Sequence, residues 1–188
     1  MSGEVPSSDL ADPSYEAKRE FFRNAFRLLD FNRIPGDYCE FGCNTAATFR
    51  LAHEGLVQRD DPMGRHMWAF DSFAGLPPQR SEFDSHPVWV EGTLVTSLED
   101  FRRLCGEYGI PAERYTCVPG FYEEALPRAA EPAEVALAHV DCDLYTSAGR
   151  GARLARAGAA ASSSSRPAPC AVGGSAASCA PNAAVALP

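Results

Sequence analysis

Lysine is almost missing from this chain: its 188 residues include one lysine, Lys18, beside sixteen arginines. Positive charge is short overall, with 17 basic against 25 acidic residues and a net charge of −8, which argues against a nucleic-acid partner. No apolar run approaches the roughly 20 residues of a membrane-spanning helix, so no membrane partner is expected. The first twenty residues are polar and lack the apolar stretch of a secretory signal, so a cytoplasmic protein is expected. Paired Cys-x-x-Cys spacing is absent too. The seven cysteines, at positions 39, 43, 105, 117, 142, 170 and 179, are an odd number and are expected as free thiols. The histidines His53, His66, His86 and His139 share no metal-ligand spacing.

What remains is enough for one folded domain, with 45% hydrophobic and 10% aromatic residues. The composition changes abruptly near residue 150. Every acidic residue lies before it, whereas residues 151–188 hold 14 Ala, 6 Ser, 4 Gly, 4 Pro and no aromatic. Residues 149–161 favour an extended helix because Ala and Arg are good helix formers. Beyond the serine run at 162–165 the tail cannot bury enough apolar surface to offset its chain entropy, and coil is expected. The predicted organisation is a flexible N-terminus over 1–14, a folded domain over 15–150 and a disordered low-complexity tail over 151–188. Out-of-frame reading of a GC-rich gene produces such residues, so a frameshifted tail is one expectation and a genuine flexible tail the other. Sequencing the coding DNA separates them, because an intact frame with no alternative continuation excludes the frameshift.

Apolar residues recur at three- and four-residue steps over 15–29, which predicts an amphipathic helix. Short apolar strands are predicted at 38–42, 67–70, 115–119 and 135–140, with helices at 45–56, 101–108 and 121–126 between them. Ser97 carries a capping signature, with Asp100 three residues on. Strands alternating with helices imply an α/β fold with a parallel, doubly wound sheet. Residues 73–96 are rich in Pro, Gly and Asp and too long for an ordinary connector, as a lid would be.

Each predicted strand ends in a polar group: Glu40-Phe41-Gly42, Asp71-Ser72, Pro119-Gly120 and Asp141-Cys142-Asp143. In parallel sheets ligands sit at these carboxyl ends, near the point where strand order reverses. A carboxylate after the second strand suits a ribose diol, and a glycine after the first lets a ligand approach the backbone. Bland roles compete at each position, as turn, cap or loop partner. Asp141 and Asp143 lie close enough to repel unless a cation or proton separates them, which favours a metal or an acid–base pair. His86 and Trp89, in the 73–96 segment, are candidate substrate contacts. Phe73, Phe83, Trp89, Phe121 and Tyr122 either wall a pocket or seal the loop onto the core.

Taken together, GDYCEFG (36–42), MWAFDSFAGLPP (67–78), VPGFYEEALP (118–127) and ALAHVDCDLYTSA (136–148) resemble the macrocin O-methyltransferase family of S-adenosylmethionine-dependent enzymes. The resemblance implies a Rossmann-like class I methyltransferase fold, incomplete on its C-terminal side. It implies methyl transfer to a sugar hydroxyl of a glycosylated natural product, with S-adenosylmethionine and Mg2+ as cofactors and a homo-oligomer left open. By that resemblance Glu40 and Gly42 flank the cofactor's methionine part, Asp71 and Ser72 its ribose, and Gly120, Phe121 and Tyr122 its adenine. Asp141 is then a magnesium ligand and Asp143 the general base.

Two departures stand out. Where the family has paired glycines before a threonine, this chain has Cys43-Asn44-Thr45-Ala46-Ala47-Thr48, and alanine there is expected to crowd the cofactor or take unfavourable φ values. The family's fifth strand with its Asp-Asp-Tyr magnesium motif has no counterpart after Ala148, so weak metal affinity, weak or absent activity and an unpaired edge on the fourth strand are expected. The alternatives to an enzyme are a non-catalytic S-adenosylmethionine- or nucleotide-binding fragment, or an interaction protein.

Overall fold

The structure is a computed structural model that describes residues 13–79, 81–85, 87–127, 132–162 and 183–186. Helix α1 runs over Pro13–Phe31 and buries Phe22, Phe26 and Leu29, spaced four and three apart on one face. Proline suits the first helical position, where no N–H partner is needed. Strand β1, Asp37–Phe41, leads into α2, Ala47–Val57. Strand β2, Met67–Asp71, opens the long segment before α3, Leu98–Glu107, in which a 3-10 turn at Glu82–Asp84 is the one regular element among the described residues. Ser97 caps α3, its hydroxyl accepting from the Asp100 amide at 3.0 Å, as its spacing predicts. Strands β3, Tyr115–Pro119, and β4, Val135–Val140, flank the short helix α4, Tyr122–Ala125. Helix α5, Tyr145–Ser162, and strand β5, Ala183–Ala186, complete the described chain.

The strands lie in the order β3-β2-β1-β4-β5. The first four are parallel, as the alternating pattern predicts. Strand β1 is the centre from which the chain passes first to β2 and β3 on one side, then to β4 on the other. The order therefore reverses between β1 and β4, the place where such sheets bind ligands.

Side chains alternate across the sheet. Tyr38 packs with Phe22, Phe26, Phe49 and Phe101 on the face covered by α1, α2 and α3. Cys39 and Phe41 point the other way, into a smaller core with Phe70, Val118, Val135 and Val140. Phe41 stacks on Phe70 with ring centroids 4.7 Å apart, and Tyr122 meets it edge-on at 6.0 Å. Helix α5 presses close to this face, because a Cβ added to Gly151 would lie 2.9 Å from the Phe41 ring.

The tail departs from expectation. Helix α5 extends to Ser162, in line with its Ala- and Arg-rich sequence. Coil and an open β4 edge are expected beyond it, yet β5 pairs antiparallel with β4, from Leu137↔Ala186 to Val140↔Ala183. The physical reason is that an open edge offers backbone donors and acceptors, which a strand satisfies with small side chains as well as large ones. Composition therefore carries no signal for it. Residues 163–182, and the 1–12 part of the expected flexible N-terminus, lie outside the described residues. Among the described residues no helix is long and apolar enough to cross a membrane.

Candidate functional site

The carboxyl ends of β1, β2, β3 and β4 open into one cleft. Gly42, Asn44, Asp71, Ser72, Gly120, Phe121, Tyr122, Asp141, Cys142 and Asp143 line its strand side, and Gly75, Leu76, Pro77 and Leu94 come from the segment between β2 and α3.

Asp71 is the knot of the site. Its Oδ2 accepts from the Cys43 and Asn44 amides at 2.7 and 3.1 Å, and its Oδ1 from the Phe73 amide at 2.9 Å. One carboxylate thus ties the loop after β1 to the turn after β2. Among the described residues these three donors occupy three of a carboxylate's roughly four lone-pair sites, which leaves one for a ligand hydroxyl. Ser72 turns back on the loop, donating to the Gly75 carbonyl at 2.7 Å and accepting from the Ala74 amide at 3.1 Å.

The loop after β1 is under constraint. Gly42 has φ +84°, and a Cβ there would lie 2.1 Å from the Asp141 carbonyl oxygen, so only glycine lets β1 and β4 meet. Ala46, where the sequence predicts trouble for an alanine, takes the left-handed conformation at φ +60°. Tyr122 donates to the Phe70 carbonyl at 3.2 Å and lies 3.4 Å from the Cys142 sulfur, which itself donates to the Phe41 carbonyl. Burial raises both the Tyr122 hydroxyl and the Cys142 thiol, the latter to about 12, so neither ionises near neutral pH.

Asp143, with φ +54°, stands half-buried at the cleft. Burial, and then the neighbouring Asp141 and Asp71 charges, hold its carboxyl above the usual value. The lone lysine, Lys18 on α1, comes within 4.0 Å of Asp141 Oδ2.

Glu40 lies beneath the cleft rather than on its wall. It is fully buried, with Oε1 accepting from Thr48 Oγ1 at 2.6 Å and Oε2 from the Tyr38 hydroxyl. Burial pushes its carboxyl up to about 8, against the pull of both hydrogen bonds. Its neighbour across the sheet, His139, has an Nδ1 4.0 Å from Glu40 Oε2 and no hydrogen-bond partner among the described residues, and burial lowers its basicity. Trp89 is not at the cleft; its carbonyl accepts from Gln79 Nε2 at 2.6 Å. His86 lies outside the described residues.

Asn44, Leu94, Glu123 and Ser147 also line the cleft; Asn44 and Leu94 reach it through loop paths that spacing does not encode, whereas Glu123 and Ser147 stand in the first turns of α4 and α5, inside segments that carry the family resemblance. For magnesium the donors do not fit: among the described residues no group of three or more His, Cys, Asp or Glu side chains could hold a metal ion. An adenosyl ligand fits better, given the glycine floor at Gly42 and the Asp71 acceptor at the cleft.

A parallel sheet with this strand order and a ligand cleft at its switch point defines an α/β fold of the methyltransferase kind, and solved structures bear that out. The chain superposes on the O-methyltransferase NovP with a TM-score of 0.66, at 24% identity, over 76% of this chain and 60% of that one. On the calicheamicin methyltransferase CalS11 the TM-score is 0.60, at 18% identity, over 84% of this chain and 68% of that one. Residues 16–153 match the family Macrocin-O-methyltransferase (TylF), and the chain belongs to that family. Among its curated relatives, a tetracenomycin-C rhamnosyl 4'-O-methyltransferase of Streptomyces olivaceus is 29% identical over 121 residues, 61% of this chain and 45% of the relative. The mycinamicin III 3''-O-methyltransferase of Micromonospora griseorubida is 29% identical over 120 residues, 60% of this chain and 46% of the relative. The chain thus spans a little under half the length of these relatives.

Proposed function

We propose that this chain is the cofactor-binding part of an S-adenosylmethionine-dependent O-methyltransferase that acts on a sugar hydroxyl of a glycosylated natural product. The observation that carries the reading is the convergence of Gly42, Asp71, Gly120 and Asp143, from the ends of four neighbouring strands, on one cleft. Family membership and the substrates in the relatives' names support it.

In this reading Asp71 accepts from a ribose hydroxyl through its remaining lone pair while its other bonds keep the two loops together. Gly42 lets the methionine end approach the backbone, with the neutral Glu40 beneath it. Gly120, Phe121 and Tyr122 border the adenine. S-Adenosylmethionine supplies an electrophilic methyl group on its sulfonium sulfur. Asp143 takes the proton from the acceptor hydroxyl, and its raised basicity suits that role, because a general base works best with a pKa near the operating pH. The rest is positioning: holding acceptor oxygen and methyl carbon in line removes much of the entropic barrier.

Because no group of three or more His, Cys, Asp or Glu among the described residues could hold a metal ion, there is a second reading, a chain that binds the cofactor without turning it over. Radiolabelled S-adenosylmethionine with a deoxysugar glycoside separates the two. Label in the glycoside, lost in Asp143→Asn with cofactor affinity kept, supports the enzyme; cofactor binding without any transfer supports the second reading, and neither binding nor transfer defeats both.

A further inference from the structure

The segment between β2 and α3 is fastened in three ways. Its ends pair with each other, Leu76 N donating to the Thr93 carbonyl at 3.0 Å and Gly92 N to the Leu76 carbonyl at 2.9 Å. Thr96 Oγ1 donates to Asn44 Oδ1 at 2.9 Å, joining the segment to the loop after β1. The third fastening is of another kind. Asp84, in the 3-10 turn, is a fully buried carboxylate in a loop. Its Oδ1 accepts from the Thr146 amide at 3.2 Å, and its Oδ2 accepts from Thr146 Oγ1 and Ser81 Oγ, each at 3.0 Å.

Glu40 and Asp84 are the two acidic residues, among those described, with no exposure at all. Burying such a group is costly unless its lone pairs are filled. Here Ser81 supplies one donor and the first turn of α5, whose free N–H groups and positive dipole end favour an anion, supplies the other two. Thr146 stands three residues after Asp143 and next to Ser147, and both of those line the cleft. The bond also spans 62 residues of chain, so it fixes one wall of the cleft relative to the opposite one.

We propose that Asp84 is a positioning residue of this site: it clasps the 73–96 segment to the first turn of α5 and so holds Asp143 and Ser147 opposite Gly75, Leu76 and Pro77. Its effect on ligand affinity rests on the cofactor-binding reading above, whereas the clasp itself does not. Asp84 touches no reacting atom and acts through Thr146.

The test uses the full 188-residue chain, amide hydrogen exchange and calorimetry with S-adenosylhomocysteine. Asp84→Ala is expected to speed exchange about tenfold at residues 81–85 and 143–147 while β1 and β2 keep their protection, and to weaken S-adenosylhomocysteine about tenfold. Thr146→Val should act in the same direction, and the double variant should be no worse than Asp84→Ala alone. Asp84→Asn, which still presents one acceptor oxygen, should recover most of both losses. The proposal is overturned if exchange at 143–147 stays unchanged in Asp84→Ala, or if the two substitutions add. It is equally overturned if affinity falls only in step with global stability. Should Asp84→Ala fail to fold, Asp84→Asn and Thr146→Val carry the same comparison, with smaller shifts. If the unaltered chain takes up no S-adenosylhomocysteine, the functional reading fails, and the exchange measurements alone decide the clasp.

Discussion

Glu40 shows how a single residue can be legible in its place and misread in its surroundings. Its position at the end of an apolar strand marks it as a site residue, but alternation along β1 sends its side chain to the Tyr38 side of the sheet, under the cleft. That burial has a pH signature. An unfolded chain ionises Glu40 near its ordinary value of 4.5, whereas the folded chain keeps it protonated to about 8. Between those values the folded state binds the extra proton, so stability attributable to this group is full below the lower value, falls as pH rises, and levels off above the upper one. Glu40→Gln, which keeps one acceptor oxygen and leaves the other bond to be remade with the amide N–H donating to the partner hydroxyl, should flatten that decline and raise the urea midpoint above pH 8; an unchanged slope would show that another group causes it. Gly42 makes a steric claim instead. With φ +84° and the Asp141 carbonyl 2.1 Å from the site of a Cβ, Gly42→Ala should lose about 3 kcal/mol or more in denaturant unfolding, among the larger single-residue effects. A loss under about 1 kcal/mol would mean that the β1–β4 contact is looser than described.

At the scale of elements, α5 offers a contrast within one helix. A methyl group added at Gly149 would meet nothing within 4 Å, whereas one at Gly151 would face the Phe41 ring at 2.9 Å, and that ring is itself held by Phe70 and Tyr122. Gly149→Ala should therefore stabilise the chain by up to about 1 kcal/mol, the helix-propensity difference, while Gly151→Ala should be neutral or destabilising. Equal gains at both positions, read from thermal unfolding, would contradict the close packing of α5 on β1. The elements themselves are largely readable from the sequence. Strands β3 and β4 and the Ser97 cap fall where period and capping signals put them, because those signals are local. Strand β5 is not readable, since its four residues are alanine and valine paired through the backbone, and nothing in such a sequence distinguishes strand from coil.

At the scale of the whole molecule, what makes a site is the order of strands. Asp71 and Asp143 are far apart in sequence, and only the reversal between β1 and β4 brings them to one cleft. The polar strand ends announce this arrangement, so the strand side of the cleft is visible in the sequence. Its other wall is not, because Gly75, Leu76, Pro77 and Leu94 arrive by a loop path, and the Asp84–Thr146 bond that joins the walls links residues with no shared motif. Magnesium belongs to the same scale. Among the described residues the acids do not assemble a metal site, so titrating Mg2+ into the chain is expected to give no saturable heat, and one-to-one binding would show a donor set that the described residues lack.

The most direct measurement is an amide chemical-shift map of the isotopically labelled chain as S-adenosylhomocysteine is added. Shifts should concentrate at Gly42–Asn44, Asp71–Phe73, Gly120–Tyr122 and Asp141–Asp143, leaving the opposite strand ends at Asp37, His66 and Tyr115 unmoved. Saturable shifts confined to those opposite ends, or none at all in a folded chain, would contradict a shared adenosyl cleft.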